Sequence, residues 1–325
     1  MPMTSKPTSK PTSKPTAVLS FLSAALLLAS LRPAAAADSP AVKPAKPDYQ
    51  HEIAAWHQSR DKGLRDENGW LTLVGLYWLD EGENKIGSDA GNKVIFPEGK
   101  APAVAGTLVR HGKEVQLNPA PGAGITVDGK PVSAPLAVQA DTQGKPPVLH
   151  LGSVSFFVIQ RGDKVGVRMK DSQSPALAAF RGLDYFPVQT AWRVEARFEP
   201  YTPAKKIPIA NVLGQIADED SPGAVVFDWQ GKTYRMDALK GDDKGGLFLI
   251  FADQTNGKDT YGAGRFLDTD PPQGGKVVVD FNTAYSPPCA FTAFATCPLP
   301  PAQNRLALRV EAGEKKYGEG HAAAH

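Results

Sequence analysis

The sequence has few of the residues and motifs that identify common enzyme classes. It contains two cysteines, too few for a four-cysteine zinc site, and one long apolar run, too few for a membrane bundle. It lacks the G-x-S-x-G elbow of serine hydrolases, the phosphate-binding G-x-x-x-x-G-K-S/T loop, the H-E-x-x-H zinc motif and a G-x-G-x-x-G motif after a strand. The sequence therefore predicts no metal site and no cofactor, and it assigns no reaction.

Residues 1–37 have the pattern of a cleavable secretory signal peptide. Lys6, Lys10 and Lys14 form a basic start, residues 17–31 form an apolar core, and the small residues 35–37, all alanine, directly precede Asp38. The apolar core is shorter than the roughly 20 residues that span a bilayer. We therefore predict a periplasmic or secreted protein that is not inserted in a membrane after cleavage.

A strong excess of charge of one sign is also absent. The formal net charge is +2, and removal of residues 1–37 leaves two more acidic than basic residues. Because binding to phosphate backbones needs a basic surface, nucleic acid is not an expected partner. The proline-containing residues 38–47 are predicted to be a linker, and residues 318–325 a disordered tail. The oligomeric state stays open.

The remaining sequence predicts a mainly β fold. Glycine and proline together make up close to a fifth of the chain, which favours short elements joined by turns. One amphipathic helix is predicted over residues 48–67, where Ile53, Trp56, Arg60 and Leu64 recur at steps of three and four. We predict two β-rich domains, a helix plus β-sandwich at 48–188 and a β-sandwich or barrel at 189–317. A single continuous architecture remains the alternative.

Short runs of apolar or alternating residues mark the predicted strands. In the first block they lie at 70–79, 94–97, 106–111, 114–117, 125–127, 154–160 and 165–169, the last two forming a hairpin. In the second block they lie at 192–198, 224–229, 233–238, 247–252, 264–267, 276–281 and 306–311.

Polar residues are concentrated among aromatics and prolines in the last third of the chain. Carboxylates near such donors, at the ends of strands, are suited to hold a ligand or to exchange protons. The same side chains could instead satisfy turn amides and one another inside the fold. The candidate ligand-binding residues are Asp253, Tyr261, Arg265, Asp280, Asn282, Tyr285, Asn304 and Glu314.

Three functions are compatible with these residues. The first is binding of a small polar or anionic ligand by the C-terminal β-domain, with Arg265 and Tyr261 as anchors. The second is a hydrolase that uses Asp280 or Glu314 as a general base. The third is a non-catalytic interaction module, which would need no concave polar pocket.

Cys289 and Cys297 are the only cysteines. In an exported protein an even number of cysteines favours a disulfide, which would fix the proline-rich loop 287–301. Free structural thiols and a nucleophilic cysteine are the alternatives, and the nucleophile would need a base supplied by the fold.

Long motifs in this sequence resemble a bacterial family known as domain of unknown function 1684. The resemblance implies no established reaction, and Ser286 stands where the family pattern leads us to expect Asn. It extends over about residues 49–317. The matching stretches are Gly-Trp-Leu-Thr-Leu-Val-Gly-Leu-Tyr-Trp-Leu at 69–79, Thr-Tyr-Gly-Ala-Gly-Arg-Phe-Leu at 260–267, Asp-Phe-Asn at 280–282, Ala-Tyr at 284–285, Pro-Pro-Cys-Ala-Phe at 287–291, Cys-Pro-Leu-Pro-Pro at 297–301, Asn-Arg-Leu at 304–306 and Ala-Gly-Glu-Lys at 312–315.

The first block also resembles a forkhead-associated β-sandwich, on the motifs at 81–87, 127–129 and 150–152. That family reads phosphothreonine through an arginine directly after Ile-Gly and through a Ser-x-x-His turn. Here Ser88 follows Gly87, and residues 102–106 lie where the turn is expected. The resemblance therefore implies the fold without the phosphopeptide function.

Overall fold

The structure is a computed structural model, and it describes residues 47–318. The predicted signal peptide lies outside the described residues, as do the predicted linker apart from Pro47 and the predicted tail apart from Gly318. All described residues belong to one compact unit. The division into domains at 48–188 and 189–317 stays a prediction.

The predicted N-terminal helix is confirmed as α1, Pro47–Arg65. Asp48 in its first turn and Lys62 and Arg65 in its last turn complement the helix dipole. Ile53 and Leu64 are buried, so the amphipathic stripe packs against the β-structure. Among the described helices, none is long and apolar enough to cross a membrane.

The described chain is mainly β, as the sequence predicts. A short helix α2, Pro175–Ala179, begins after Ser174, whose hydroxyl accepts a hydrogen bond from the Leu177 N–H. Short 3-10 helices occupy Trp70–Thr72, Asp141–Gln143, Thr190–Trp192, Phe281–Thr283, Pro288–Ala290 and Ala302–Asn304. The strands are β1 (Leu73–Trp78), β2 (Gly82–Gly87), β3 (Val94–Ile95), β4 (Gly106–His111), β5 (Glu114–Pro119), β6 (Thr126–Val127), β7 (Lys130–Pro131), β8 (Leu136–Ala137), β9 (Leu149–Leu151), β10 (Val154–Arg161), β11 (Lys164–Asp171), β12 (Arg193–Ala210), β13 (Ile216–Trp229), β14 (Lys232–Lys240), β15 (Leu247–Phe251), β16 (Arg265–Thr269) and β17 (Lys276–Asp280).

Two sheets built from β1 to β11 share one apolar core. One sheet has the order β1-β11-β10-β9-β6-β7 and the other the order β3-β2-β4-β5-β8. Their buried residues form one cluster, to which Leu108 of the second sheet and Phe156 of the first belong. The predicted hairpin is confirmed, because Val154–Arg161 pairs antiparallel with Lys164–Asp171. This arrangement is a sandwich, and its forkhead-associated likeness stays a prediction.

The third sheet curls towards a barrel. Its order is β16-β15-β14-β13-β12-β17, so β16 and β17 are the two edges. Cα atoms of these edge strands nevertheless come within 8 Å of each other. Phe266 and Tyr285 exchange backbone hydrogen bonds, which join β16 to the segment that follows β17. The seam between the two edges is therefore partly closed.

The strand predicted at 306–311 is wrong. This segment bends at residues 307–308 and belongs to no sheet. Some of its backbone groups bond elsewhere: the Leu308 carbonyl accepts from the Gln254 N–H, and the Val310 carbonyl accepts from the guanidinium of Arg265. The apolar alternation arises because Leu306, Leu308 and Val310 cover the interior of the curled sheet.

Candidate functional site

A cleft, called the seam cleft below, lies along the line where the edge strands β16 and β17 of the third sheet approach each other. Its volume is about 640 Å³, and helix α1 forms one side of it. Trp56 comes from α1, Asp268 from β16, Asp280 from the end of β17, and Arg193 from the start of β12. The cleft exists because the edge strands approach each other without forming a continuous ladder between them.

The cleft carries an excess of negative charge. Two basic residues line it, and both already have carboxylate partners: Lys276 lies 2.6 Å from Glu195, and Arg193 lies 3.6 Å from Asp280. Because a cleft lined by one sign of charge concentrates the electric field, it attracts ligands of the opposite sign. The six lining carboxylates belong to Glu52, Glu195, Asp242, Asp268, Asp270 and Asp280.

Asp268 is a lining carboxylate that is held by an aromatic hydroxyl. The Tyr285 hydroxyl donates a hydrogen bond to it at 2.8 Å. The protein walls around Asp268 desolvate its carboxylate and raise its pKa, and the nearby Asp242 raises it further, while the Tyr285 hydrogen bond opposes both. The carboxylate still has exposed surface, so a ligand in the cleft can reach it.

Two predicted residues meet at one end of the cleft. Asp280 accepts a hydrogen bond from the Tyr49 hydroxyl at 2.5 Å and one from the Asn282 N–H at 3.0 Å. The Asn282 side-chain amide in turn donates to the Gln189 carbonyl and accepts from the Gln189 N–H. Asp280 therefore lines the cleft, while the buried Asn282 holds the chain in place behind it.

Asp253 and Arg265 form a sealed ion pair away from the cleft lining. Their side chains have no exposed surface, and the Arg265 Nη2 lies 2.6 Å from Asp253 Oδ2. Arg265 also donates to the carbonyls of Val310 and Ala312. No surface of this guanidinium is left for a ligand, so the predicted anchor instead ties the extended segment 310–312 to β16.

Tyr261 and Asn304 make internal links. The Tyr261 hydroxyl donates to the Cys289 carbonyl at 3.1 Å. The buried Asn304 amide donates to the Asp237 and Ile250 carbonyls, and its oxygen accepts from the Asp237 N–H. These bonds satisfy backbone groups, which matches the structural alternative stated for the cluster.

Glu314 is buried beneath α1 rather than in the cleft. Its carboxylate pairs with Arg60 at 2.7 Å and accepts from the Ser286 N–H at 2.8 Å. Burial raises the pKa of Glu314, and the Arg60 guanidinium opposes that rise. A role as general base would need access that the 0% exposure of Glu314 does not provide.

The sequence does not predict that helix α1 contributes to the cleft. Its helical spacing predicts only that Trp56 and Arg60 lie on a face that covers a β-domain. The signal was present, because a buried stripe that contains an arginine needs a buried acid to pair with it. Asp268 was missed because nothing local distinguishes it from other acids next to turns. Among residues 47–318, no group of three or more His, Cys, Asp or Glu side chains is placed to hold a metal ion.

The predicted disulfide is confirmed. Cys289 and Cys297 are bonded to each other, with a Cα–Cα distance of 6.2 Å. The loop that they close covers part of the third sheet, where Cys297 is buried beside Ile207, Ile209 and Ile250.

Comparison with known proteins places one family in the C-terminal part of the chain. Residues 178–315 match the family described as protein of unknown function (DUF1684), a narrower match than the expected 49–317. The chain is also similar to the uncharacterized protein from gene locus rrnAC0354 of Haloarcula marismortui, solved by solution NMR. That similarity has 31% sequence identity, covers 42% of this chain and 78% of that chain, and has a TM-score of 0.37. The search of curated proteins found no match.

Proposed function

We propose that this chain, whose residues 178–315 match the DUF1684 family, binds a small polar, positively charged ligand in the seam cleft. The observation that carries the proposal is the cleft itself, with six carboxylates and two already paired basic residues. Its volume of about 640 Å³ lies within the range of roughly 300–1,000 Å³ that is usual for small-molecule sites.

The charge of the cleft favours a cation over the anion that the sequence also allowed. An anionic ligand would face Asp268, Asp270 and Glu52, which have no basic side chain within 4 Å among residues 47–318. A cation would instead gain from these carboxylates and from the indole of Trp56, whose π-face attracts positive charge.

Export of the protein is part of the proposal. The Cys289–Cys297 disulfide supports it, since disulfides persist in oxidising compartments and are rare in the cytosol. The signal-peptide pattern of residues 1–37 points to the same compartment.

A series of sugars with one ring scaffold and different charges tests the ligand-binding proposal. Purified protein is titrated by calorimetry with glucosamine, glucose and glucuronate at fixed ionic strength. We expect glucosamine to bind more tightly than glucose, and glucuronate to bind most weakly. Equal behaviour of the three sugars, or a preference for glucuronate, would overturn the proposal.

Two variants locate the binding. Asp268→Asn removes the reachable carboxylate, so we expect glucosamine affinity to fall by about tenfold. Asp243→Asn is the matched control, because Asp243 is an exposed acid outside the cleft lining. If both variants bind glucosamine as the unchanged protein does, the ligand does not contact Asp268.

A hydrolase is the second candidate, and the pair Asp268 and Asp242 favours it. A carboxyl group whose pKa is raised by burial and by a neighbouring carboxylate can act as a general acid. Asp242 raises the pKa of Asp268, and both residues line the cleft. This candidate predicts that Asp268→Asn and Asp242→Asn each abolish turnover of a glycoside or ester substrate without unfolding the protein. Turnover that survives both substitutions would exclude it.

A further inference from the structure

Arg168 is a buried arginine that has no acidic side chain within 4 Å in the described part of the chain. It lies on β11, where Val167 and Met169 point into the sandwich core and Arg168 faces the other side of the sheet. Arg168 is only 6% exposed. Its Nε–H is buried and has no hydrogen-bond acceptor among the described residues. A guanidinium in such surroundings is costly unless an opposite charge accompanies it.

A second arginine meets Arg168 at one hydroxyl group. The Nη2 of Arg168 donates to Thr296 Oγ1 at 3.2 Å, and the Nε of Arg161 donates to the same oxygen at 3.3 Å. The hydroxyl therefore accepts two charged donors, and its own proton has no acceptor among residues 47–318. The hydrogen-bond donors of Arg161, Arg168 and Thr296 therefore lie close together around the Thr296 hydroxyl.

Positive charge exceeds negative charge around this hydroxyl. Asp141 is bound by the Nη1 of Arg161 through both carboxylate oxygens, at 3.0 and 2.8 Å. Burial and, to a smaller extent, the neighbouring Arg161 lower the pKa of Arg168 to about 10, although Asp141 opposes both effects. Arg168 is therefore still charged at neutral pH. The surroundings of the Thr296 hydroxyl thus contain two positively charged guanidinium groups and one carboxylate.

We propose that Arg161, Arg168 and Thr296 form a binding site for an anionic oxygen group, either a phosphate or a carboxylate. Guanidinium groups bind both through paired hydrogen bonds, and the Thr296 hydroxyl proton supplies a further donor. The Arg161 side chain is 29% exposed and Thr296 is half-buried, so the anion can approach from solvent on that side. The site shares no residue with the seam cleft, and its charge is of the opposite sign.

The disulfide holds the third member of this site in place. Thr296 directly precedes Cys297, whose sulfur is bonded to Cys289 and whose carbonyl accepts from the Val212 N–H at 3.0 Å. The position of the hydroxyl over β10 and β11 thus depends on a loop that is covalently closed. We expect reduction of the disulfide to weaken anion binding at the site.

Inorganic phosphate and acetate are the probes. Their binding is measured by calorimetry and by the rise of Tm at constant ionic strength, with sodium chloride as the reference salt. We expect the unchanged protein to bind at least one of them and to show a Tm rise above that in chloride. The tighter probe identifies the group, phosphate or carboxylate. A Tm that responds equally to phosphate, acetate and chloride, with no calorimetric binding, would overturn the proposal.

Variants separate specific binding from a general salt effect. We expect Arg168→Met and Thr296→Val each to weaken binding of the preferred anion by about tenfold or more, and Thr296→Ser to retain it. Arg110→Met is the control, since Arg110 is also largely buried but has carbonyl acceptors from Leu79 and Gly112. If Arg168→Met fails to fold, comparison of the variants Thr296→Val and Thr296→Ser tests the site instead. Unchanged affinity in Thr296→Val would overturn the proposal.

Discussion

Arg60 and Glu314 lie 254 positions apart in the chain and form an ion pair in which Arg60 Nε donates to Glu314 Oε1 at 2.7 Å. Arg60 also donates to the Ser286 carbonyl, and its guanidinium lies 4.8 Å from the centre of the Tyr285 ring. Helix α1 is thereby fixed to the segment that closes the third sheet. Because Trp56 is on the same helix, this ion pair also fixes one wall of the seam cleft.

Removal of Arg60 should destabilise the protein strongly. Arg60→Met leaves the Glu314 carboxylate buried without its cation, and we expect the free energy of unfolding to fall by about 3 kcal/mol. Urea denaturation followed by tryptophan fluorescence measures the change. The double variant Arg60→Met with Glu314→Gln should recover part of the loss, because no buried charge remains unpaired. A loss below about 1 kcal/mol in the single variant would contradict the assigned role.

Asp253 and Arg265 should affect stability and leave ligand binding unchanged. Asp253→Asn leaves a sealed guanidinium without its anion, so we expect a loss of about 3 kcal/mol or more in the free energy of unfolding. Glucosamine titration of the folded fraction should give the affinity of the unchanged protein. A folded Asp253→Asn protein with weakened glucosamine binding would show that the sealed pair serves the ligand after all.

The raised pKa of Asp268 predicts a dependence of stability on pH. A carboxyl whose pKa is higher in the folded protein than its ordinary 3.8 binds its proton more tightly when folded. Its contribution to the free energy of unfolding is therefore complete below pH 3.8 and is lost as the pH rises through the folded value. Asp268→Asn stays neutral, so we expect this variant to gain stability relative to the unchanged protein between about pH 3.5 and 7. Denaturant unfolding across that range measures the difference, and a constant difference would contradict the predicted shift.

The disulfide should stabilise the protein through its small closed loop. The two cysteines are 8 positions apart, and the loop-entropy estimate gives about 2.6 kcal/mol. We expect the double variant Cys289→Ser with Cys297→Ser to lose about that amount in urea denaturation. Dithiothreitol should lower the stability of the unchanged protein to the same level. It should have no effect on the double variant, and an effect there would mean that the reductant acts elsewhere.

Local sequence patterns predicted many of the helices and strands. The strand predicted at 106–111 is observed as Gly106–His111, and the helix predicted at 48–67 is observed as Pro47–Arg65. Alternation and amphipathic spacing are properties of neighbouring residues, which the sequence displays directly. The prediction at 306–311 failed because alternating burial does not guarantee a strand partner. The Val310 carbonyl of that segment accepts a hydrogen bond from the Arg265 guanidinium, and the Leu308 carbonyl accepts one from the Gln254 N–H.

The candidate site was predicted less completely. Asp280 was named and does line the cleft, and Tyr285 was named and does bind a lining carboxylate. Trp56, Asp268 and Arg168 are not among the candidate site residues that the sequence predicts, since their importance depends on contacts between separate elements. Residue types alone do not tell whether an acid and an arginine meet in a sealed core, as Asp253 and Arg265 do, or at an open surface.

The sequence by itself determined the β-rich class of the chain, its N-terminal helix, its cysteine pair and the match of residues 178–315 to the DUF1684 family. These depend on composition, periodicity and motifs, which are local. Only the tertiary structure decided that the edges of the third sheet approach each other and leave an acidic cleft beside α1, and that Arg168 meets Arg161 at Thr296. The physical reason is that burial and charge pairing arise between segments that are separated in the chain, as Arg60 and Glu314 or Arg168 and Thr296 are, so no pattern in the neighbouring sequence records them.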